Sequence, residues 1–162
     1  MGKKKEAVKL GSLNEVLDNY NKYNEFSRRR ILVVDDEEFC ISSMRAVLYS
    51  QGINIEFQVD FCITGKEALE QVKKTYENGM KYSVIMTDFS MPVMDGIEAT
   101  AKIRSYLKSK NVREQPSIIG VTGHVQESFQ QKGIKAGMDK IYGKPLYAES
   151  MKEILSEYYI NK

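Results

Sequence analysis

The sequence predicts an α/β domain, a parallel sheet with helices on both faces. Three observations predict it. Strand-like and helix-like segments alternate five times along the chain, the mark of repeated strand–helix units. The strand candidates are short, continuous apolar runs, as expected where both faces of a sheet are covered. Four of those runs stop at a polar or reactive group: Asp35-Asp36, Asp88, Thr122 and Lys144. In such a sheet the carboxyl ends of the strands line one rim, where ligands sit, so these groups can converge.

The chain of 162 residues is long enough for one domain with a real core. Its 42% hydrophobic and 28% charged residues fit a soluble globular protein and not a disordered one. A net charge of +2 gives no argument for a nucleic acid or a membrane surface as partner. The Lys3–Lys5 and Arg28–Arg30 runs read as solvated flanking charge. Cys40 and Cys62 lie in apolar surroundings without metal-ligand spacing, which reads as two buried free thiols in a reducing compartment. No apolar stretch reaches membrane-spanning length, no signal peptide opens the chain, and Glu6 breaks the myristoylation pattern that Met1-Gly2 begins. A cytoplasmic protein is expected.

Residues 1–29 are rich in Lys, Asn and Tyr and read as a leader or linker. Leu10, Leu13, Leu17 and Tyr20 are spaced to share one face of a helix there. The ordered domain is expected over residues 30–160. Ile31 to Val34 is the first strand, ending in the acids Asp35 to Glu38, which also suit a helix start. Phe39, Met44, Val47 and Leu48 form the stripe of the first helix, stopped by Gln51-Gly52. Ile53 to Val59 alternates apolar and polar residues, a second strand. Thr64 and Glu67 form a capping box for a helix with Ala68, Leu69 and Val72 inward, ended by Asn78-Gly79.

The third strand begins near Ser83 and ends at Asp88, followed by the turn steps Met91-Pro92 and Asp95-Gly96. Ile97, Ala101, Ile103 and Leu107 mark the next helix. Ser117 to Val121 is a fourth strand, finishing at Thr122-Gly123, and a polar helix from about Val125 to Ala136 stops at Gly137. Lys140 to Tyr142 is a short fifth strand before Gly143-Lys144-Pro145. An amphipathic helix from Tyr147 to Tyr159 closes the chain, with Met151, Ile154, Leu155 and Tyr158 on one face.

Asp35, Asp36 and Asp88 at one rim would repel one another, and a bare cluster would hold protons. A hard divalent cation resolves that conflict, because Mg²⁺ takes oxygen ligands and keeps several waters. A carboxylate beside a metal, a hydroxyl and an ammonium group is a sensible phosphoryl acceptor. Each residue also has a purely structural alternative. Asp35 and Asp36 could cap a helix, Thr122 could be an N-cap, and Lys144 could be a surface lysine before a turn.

Four motifs, in order and each at a strand end, resemble one family: Val33-Val34-Asp35-Asp36-Glu37, Asp88-Phe89-Ser90-Met91-Pro92-Val93-Met94-Asp95-Gly96, Val121-Thr122-Gly123 and Gly143-Lys144-Pro145. The chain resembles the receiver domain of two-component response regulators and hybrid histidine kinases. The resemblance implies a flavodoxin-like (βα)₅ sandwich with strand order 2-1-3-4-5. It implies phosphorylation of Asp88 by a histidine kinase or a histidine phosphotransfer protein, with Mg²⁺ required. Asp36 would hold the metal directly, Asp35 largely through water, and Asp88 and the Ser90 backbone carbonyl would add to the site. Thr122 and Lys144 would bind the phosphoryl group, and the Lys144-Pro145 bond would be cis. The chain would assist only its own phosphorylation and dephosphorylation and would not be an enzyme in its own right. No nucleic-acid or membrane contact is expected, and the protomer would be a monomer or weak dimer. The leader and the Met91-Pro92-Val93-Met94-Asp95-Gly96 wording of the second motif favour the receiver of a hybrid kinase.

One departure stands out. The family commonly has an aromatic residue three places before the lysine, which turns inward on phosphorylation; here that place holds Ile141, and Tyr142 should face the other way. Output is then expected from the loop after the fourth strand and the face built by the helix after it, the fifth strand and the last helix. His124 and Ser90 occupy positions from which family members tune hydrolysis of the acyl phosphate. Three other readings compete. A haloacid-dehalogenase-type phosphohydrolase wants a second aspartate where Ser90 stands. A flavodoxin wants a Ser-, Thr- and Gly-rich loop where four acids follow the first strand. A non-phosphorylated interaction module on the same fold would have no use for the intact site.

Overall fold

A computed structural model describes residues 12, 15–17, 29–123 and 126–160. Five parallel strands form one sheet in the order β2-β1-β3-β4-β5. They are β1 (Arg29–Val34), β2 (Val59–Cys62), β3 (Lys81–Asp88), β4 (Ser117–Thr122) and β5 (Lys140–Gly143). The helices between them are α1 (Glu38–Ser50), α2 (Ile55–Gln58), α3 (Gly65–Glu77), α4 (Gly96–Ser109), α5 (Glu127–Ala136) and α6 (Ala148–Ile154). A wider π-wound turn, Leu155–Ile160, continues α6.

Alternate residues of the strands feed two cores. Ile31, Val33, Val84 and Met86 face α1 and α6, where Met44, Leu48, Met151 and Ile154 close the layer. Leu32, Val34, Ile85 and Ile118 face the opposite layer with Ala68, Val72, Ile103 and Leu107. The central strands read as continuous apolar runs because both faces are covered. Parallel pairing aligns Val34 with Cys62 and Thr87, and Asp88 with Val121. That register brings the ends of the strands to one rim. Among the described residues, no helix is long and apolar enough to cross a membrane.

Local chemistry sets most boundaries. Thr64 Oγ1 accepts from the Glu67 amide at 3.1 Å, so the expected N-cap forms, while Glu67 reaches back to the Ile63 amide at 3.0 Å, one residue before the cap. Asp95 caps α4 through the Glu98 amide at 2.7 Å. Gly137, at φ 110°, ends α5 in the left-handed conformation that suits glycine.

Five expectations need correction. The stretch from Ile53 is not a strand: Asn54 accepts from the Phe57 amide at 3.3 Å and Gln58 accepts from the Asn54 amide at 2.8 Å, so local side-chain bonds wind α2 and the strand starts at Val59. Phe39 is 83% exposed, and Ile41 takes the inward place with Met44 and Leu48. In α4, Ala101 faces solvent while Ala99 and Thr100 are buried. In the last helix Tyr159, not Tyr158, is fully buried, because the π turn inserts an extra residue per turn and moves the inward face by one position. Arg30 is not solvated flanking charge, since its guanidinium grips Asp60.

Before β1, Ser12 and Glu15 exchange hydrogen bonds of 2.8 and 3.3 Å, a capping box at the start of a helical turn over residues 15–17. Leu17 is exposed there, while Leu10, Leu13 and Tyr20 lie outside the described residues, as does His124.

Candidate functional site

Asp35 follows β1 and is 1% exposed; Asp88 ends β3 and is 6% exposed. Lys144 follows β5. Its ammonium lies 2.7 Å from Asp35 Oδ2 and 3.2 Å from Asp88 Oδ2, bridging the two carboxylates. The backbone sets this up: the Lys144 amide donates to the Thr122 carbonyl at 2.8 Å, and the Lys144–Pro145 peptide bond is cis. Asp36 is exposed, and carboxylate oxygens of Asp35, Asp36 and Asp88 lie within 4.8 Å of one another. Thr122 is buried at the end of β4, on the same rim. The rim therefore gathers the groups that the sequence places at four separate strand ends.

The site is short of positive charge. Among the described residues, three carboxylates share one ammonium, an excess of two acidic groups over cations. Burial pushes the Asp88 carboxyl above the usual aspartate range, and the charge of Asp35 adds to this; Lys144 and the Ser90 amide pull the other way without prevailing. Burial alone would lower the Lys144 pKa, but the hydrogen bonds and charges of Asp35 and Asp88 outweigh it and raise it. One lysine is held tightly because two acids compete for it.

The loop after β3 is built on close approaches. Gly96 sits where any Cβ would run into the Asp88 carbonyl, and its amide donates to the Phe89 carbonyl at 3.1 Å. Ser90 is exposed at the mouth. Val93, 90% exposed, takes a positive φ of 70°, and the Met94 amide donates to the Pro92 carbonyl at 2.8 Å, a tight turn that β-branched residues rarely adopt.

Sequence reasoning missed one neighbour of the site. Cys40 is half-buried, with its sulfur 3.7 Å from Lys144 Nζ. It is not in purely apolar surroundings, because the first turn of α1 turns it toward the rim. Burial and the nearby Asp35 charge push its thiol pKa up. The signal was its spacing: residue 40 is one turn after the acids, so it faces what they face. Asp35, Glu37 and Cys40 also come within metal-ligand spacing of one another, but a thiol suits a hard cation poorly. Cys62 is buried, and burial pushes its thiol up to about 12.

On β5, Ile141 and Tyr142 face opposite ways, as the strand period requires. Ile141 packs into the layer under α5. Tyr142 packs into the other layer, and its hydroxyl donates to Glu153 at 2.9 Å.

This geometry has counterparts. Residues 31–156 match the response regulator receiver domain family. Histidine kinase CKI1 of Arabidopsis thaliana is 37% identical over 146 residues, 83% of this chain and 13% of that protein. Hybrid signal transduction histidine kinase L of Dictyostelium discoideum is 33% identical over 129 residues, 80% of this chain and 7% of that protein. The chain thus spans only a small part of these relatives. The crystal structure of the CKI1 receiver domain complexed with Mg²⁺ superposes with a TM-score of 0.65 at 37% identity, covering 77% of this chain and 90% of that one. The same domain with Mg²⁺ and BeF₃⁻ gives 0.66 at 35% identity, covering 83% and 96%. The strand order, the match over residues 31–156 and these relatives agree, and neither a phosphohydrolase nor a flavodoxin is favoured. The chain belongs to the response regulator receiver domain family.

Proposed function

We propose that residues 30–160 form the phosphoryl-accepting unit of a phosphorelay, with residues 1–29 as its leader or linker, and that Asp88 is the acceptor. The observation that carries this reading is the charge imbalance at the rim: Lys144 bridges Asp35 and Asp88, while Asp36 beside them forms no ion pair among the described residues. An Asp88 oxygen attacks the phosphorus of a phosphohistidine, a P–O bond forms, the P–N bond breaks, and its electron pair stays on the imidazole nitrogen. Lys144, already beside Asp88, moves its ammonium onto a phosphoryl oxygen, and the Thr122 hydroxyl donates to another.

The donor set fits Mg²⁺, since it offers hard oxygen ligands and an excess of two acidic groups over cations among the described residues. Asp36 would bind it directly, Asp35 largely through water, with Asp88 and the Ser90 carbonyl adding oxygens. The bound cation would neutralise charge on the transferring group. The donor would be a histidine kinase or a histidine phosphotransfer protein in the cytoplasm. The chain acts as a signalling acceptor and turns over only its own phosphate.

Incubation of the purified chain with Mg²⁺ and acetyl phosphate, beside Asp88→Asn, tests the reading by mass spectrometry. Addition of one phosphoryl group that needs both Mg²⁺ and Asp88 supports it. An unmodified wild-type chain, or equal modification of the variant, overturns it.

A further inference from the structure

Helix α5 buries little of its own surface. Gly133 is its only buried residue, and Ile134 beside it is 51% exposed. What lies beneath Gly133 is the ring of Phe89, the residue directly after Asp88. A Cβ at Gly133 would come 2.8 Å from Phe89 Cζ, 2.9 Å from Met138 Sδ and 3.1 Å from Ile141 Cδ1. On the sheet side, a Cβ at Gly120 of β4 would run into Phe89 Cε1. Two glycines thus make room for one aromatic ring between β4 and α5. The ring is 2% exposed and stacks on Phe129 of α5, with centroids 6.5 Å apart and planes 30° from parallel.

Ile141 fills the neighbouring position under α5, pairing with Gly120 across β4 and β5, so no aromatic side chain is available there. We infer that Phe89 and Phe129 form the mechanical link between the state of Asp88 and the position of α5. The argument is geometric. Phe89 shares a peptide bond with Asp88, and its carbonyl is already tied to the Gly96 amide at 3.1 Å. A displacement of that peptide, when Asp88 gains a group that also engages Thr122, swings a rigid ring lodged against Gly133. Close packing leaves the ring no free volume, so α5 must move with it. An element with so little buried surface of its own yields before the strands do. This deepens the proposed function and rests on it.

The test uses amide NMR of the full chain with and without Mg²⁺ and beryllofluoride, for wild type, Phe89→Leu and Phe129→Leu. Phe129 is only partly buried, so its variant decides the matter if Phe89→Leu fails to fold. In wild type, amides of Asp88, Lys144 and residues 127–136 should shift together. In the variants the shifts at Asp88 and Lys144 should persist while those of residues 127–136 fall at least twofold. Undiminished shifts on α5, with the site still responding, would sink the inference alone. A wild-type site that does not respond at all would remove the proposed function and the inference with it.

Discussion

The two ends of the sheet each hold an aspartate paired with a cation, and they are built differently. At the end away from the rim, Arg30 grips Asp60 with two hydrogen bonds of 2.8 and 2.7 Å, and a third nitrogen donates to the Phe57 carbonyl at 2.6 Å. Tyr82 donates to the same carboxylate at 2.6 Å and is itself bonded to Thr75 at 3.1 Å. One acid meets one base, and each of the three guanidinium nitrogens makes a hydrogen bond. Burial alone would raise the Asp60 pKa, but Arg30 and Tyr82 together hold it below the usual aspartate range. At the rim, one lysine serves two acids beside a third, and the Asp88 carboxyl is pushed up. A saturated pair joins strands; the unsaturated one is where the proposed cation and phosphoryl group would bind.

The same substitution at the two ends should therefore act with opposite sign. Asp88→Asn should abolish phosphorylation, a loss of more than about 100-fold, as expected when a covalent acceptor is removed. Without its ligands, however, that variant should be no less stable than wild type, because it relieves repulsion at the rim. Asp60→Asn should leave phosphorylation near wild type and lower stability by about 2–3 kcal/mol in urea unfolding, since it strands the Arg30 charge in a partly buried site. Equal effects on stability would erase the distinction.

Mg²⁺ should sharpen the contrast further. At roughly 100 times its dissociation constant it should stabilise the wild type by about 2.7 kcal/mol, read as a rise in Tm that a chelator reverses. Asp36→Ala should lose most of this rise, whereas Asp60→Asn should keep it.

The pH dependence of stability should also run in opposite directions. Asp60 has a folded pKa below its unfolded value, so its contribution is fully present above about pH 4 and is lost as pH falls through the folded pKa. Asp88 has a folded pKa above its unfolded value, so its charge costs stability at neutral pH and that cost disappears as the carboxyl protonates. The stability gap between wild type and Asp60→Asn should shrink below pH 4, while any gain in Asp88→Asn should vanish as pH falls toward about 4. Chemical unfolding across that range measures both, and it is the smallest effect proposed.

The rim was legible in the sequence because parallel topology converts a simple fact, a polar residue at the end of an apolar run, into proximity. Asp35, Asp88 and Lys144 needed only the right strands to meet. The Arg30–Asp60–Tyr82 group was not legible. Arg30 sat in a basic run, Asp60 just past the stretch read as a strand, and nothing local linked them across 30 residues. Their meeting depends on the offset between β1, β2 and β3, which includes a bulge between Arg30 and Ile31 in the pairing with β3. Phe89 was equally silent, since the meaning of an aromatic residue after Asp88 lies in the two glycines that border it from β4 and α5.

By itself the sequence determined the alternation of elements, most helix ends and the residues that crown the strands. These follow from apolar periodicity, capping side chains and turn residues, all read within a few positions. Only the tertiary structure decided that Tyr159 and not Tyr158 turns inward, that Cys40 reaches Lys144, and that Arg30 is a half-buried partner of Asp60. Each depends on where a neighbouring element lies, and a half-turn of helix or one residue of offset reverses the outcome. Local propensity differs by only about 1 kcal/mol between such options, so packing decides them.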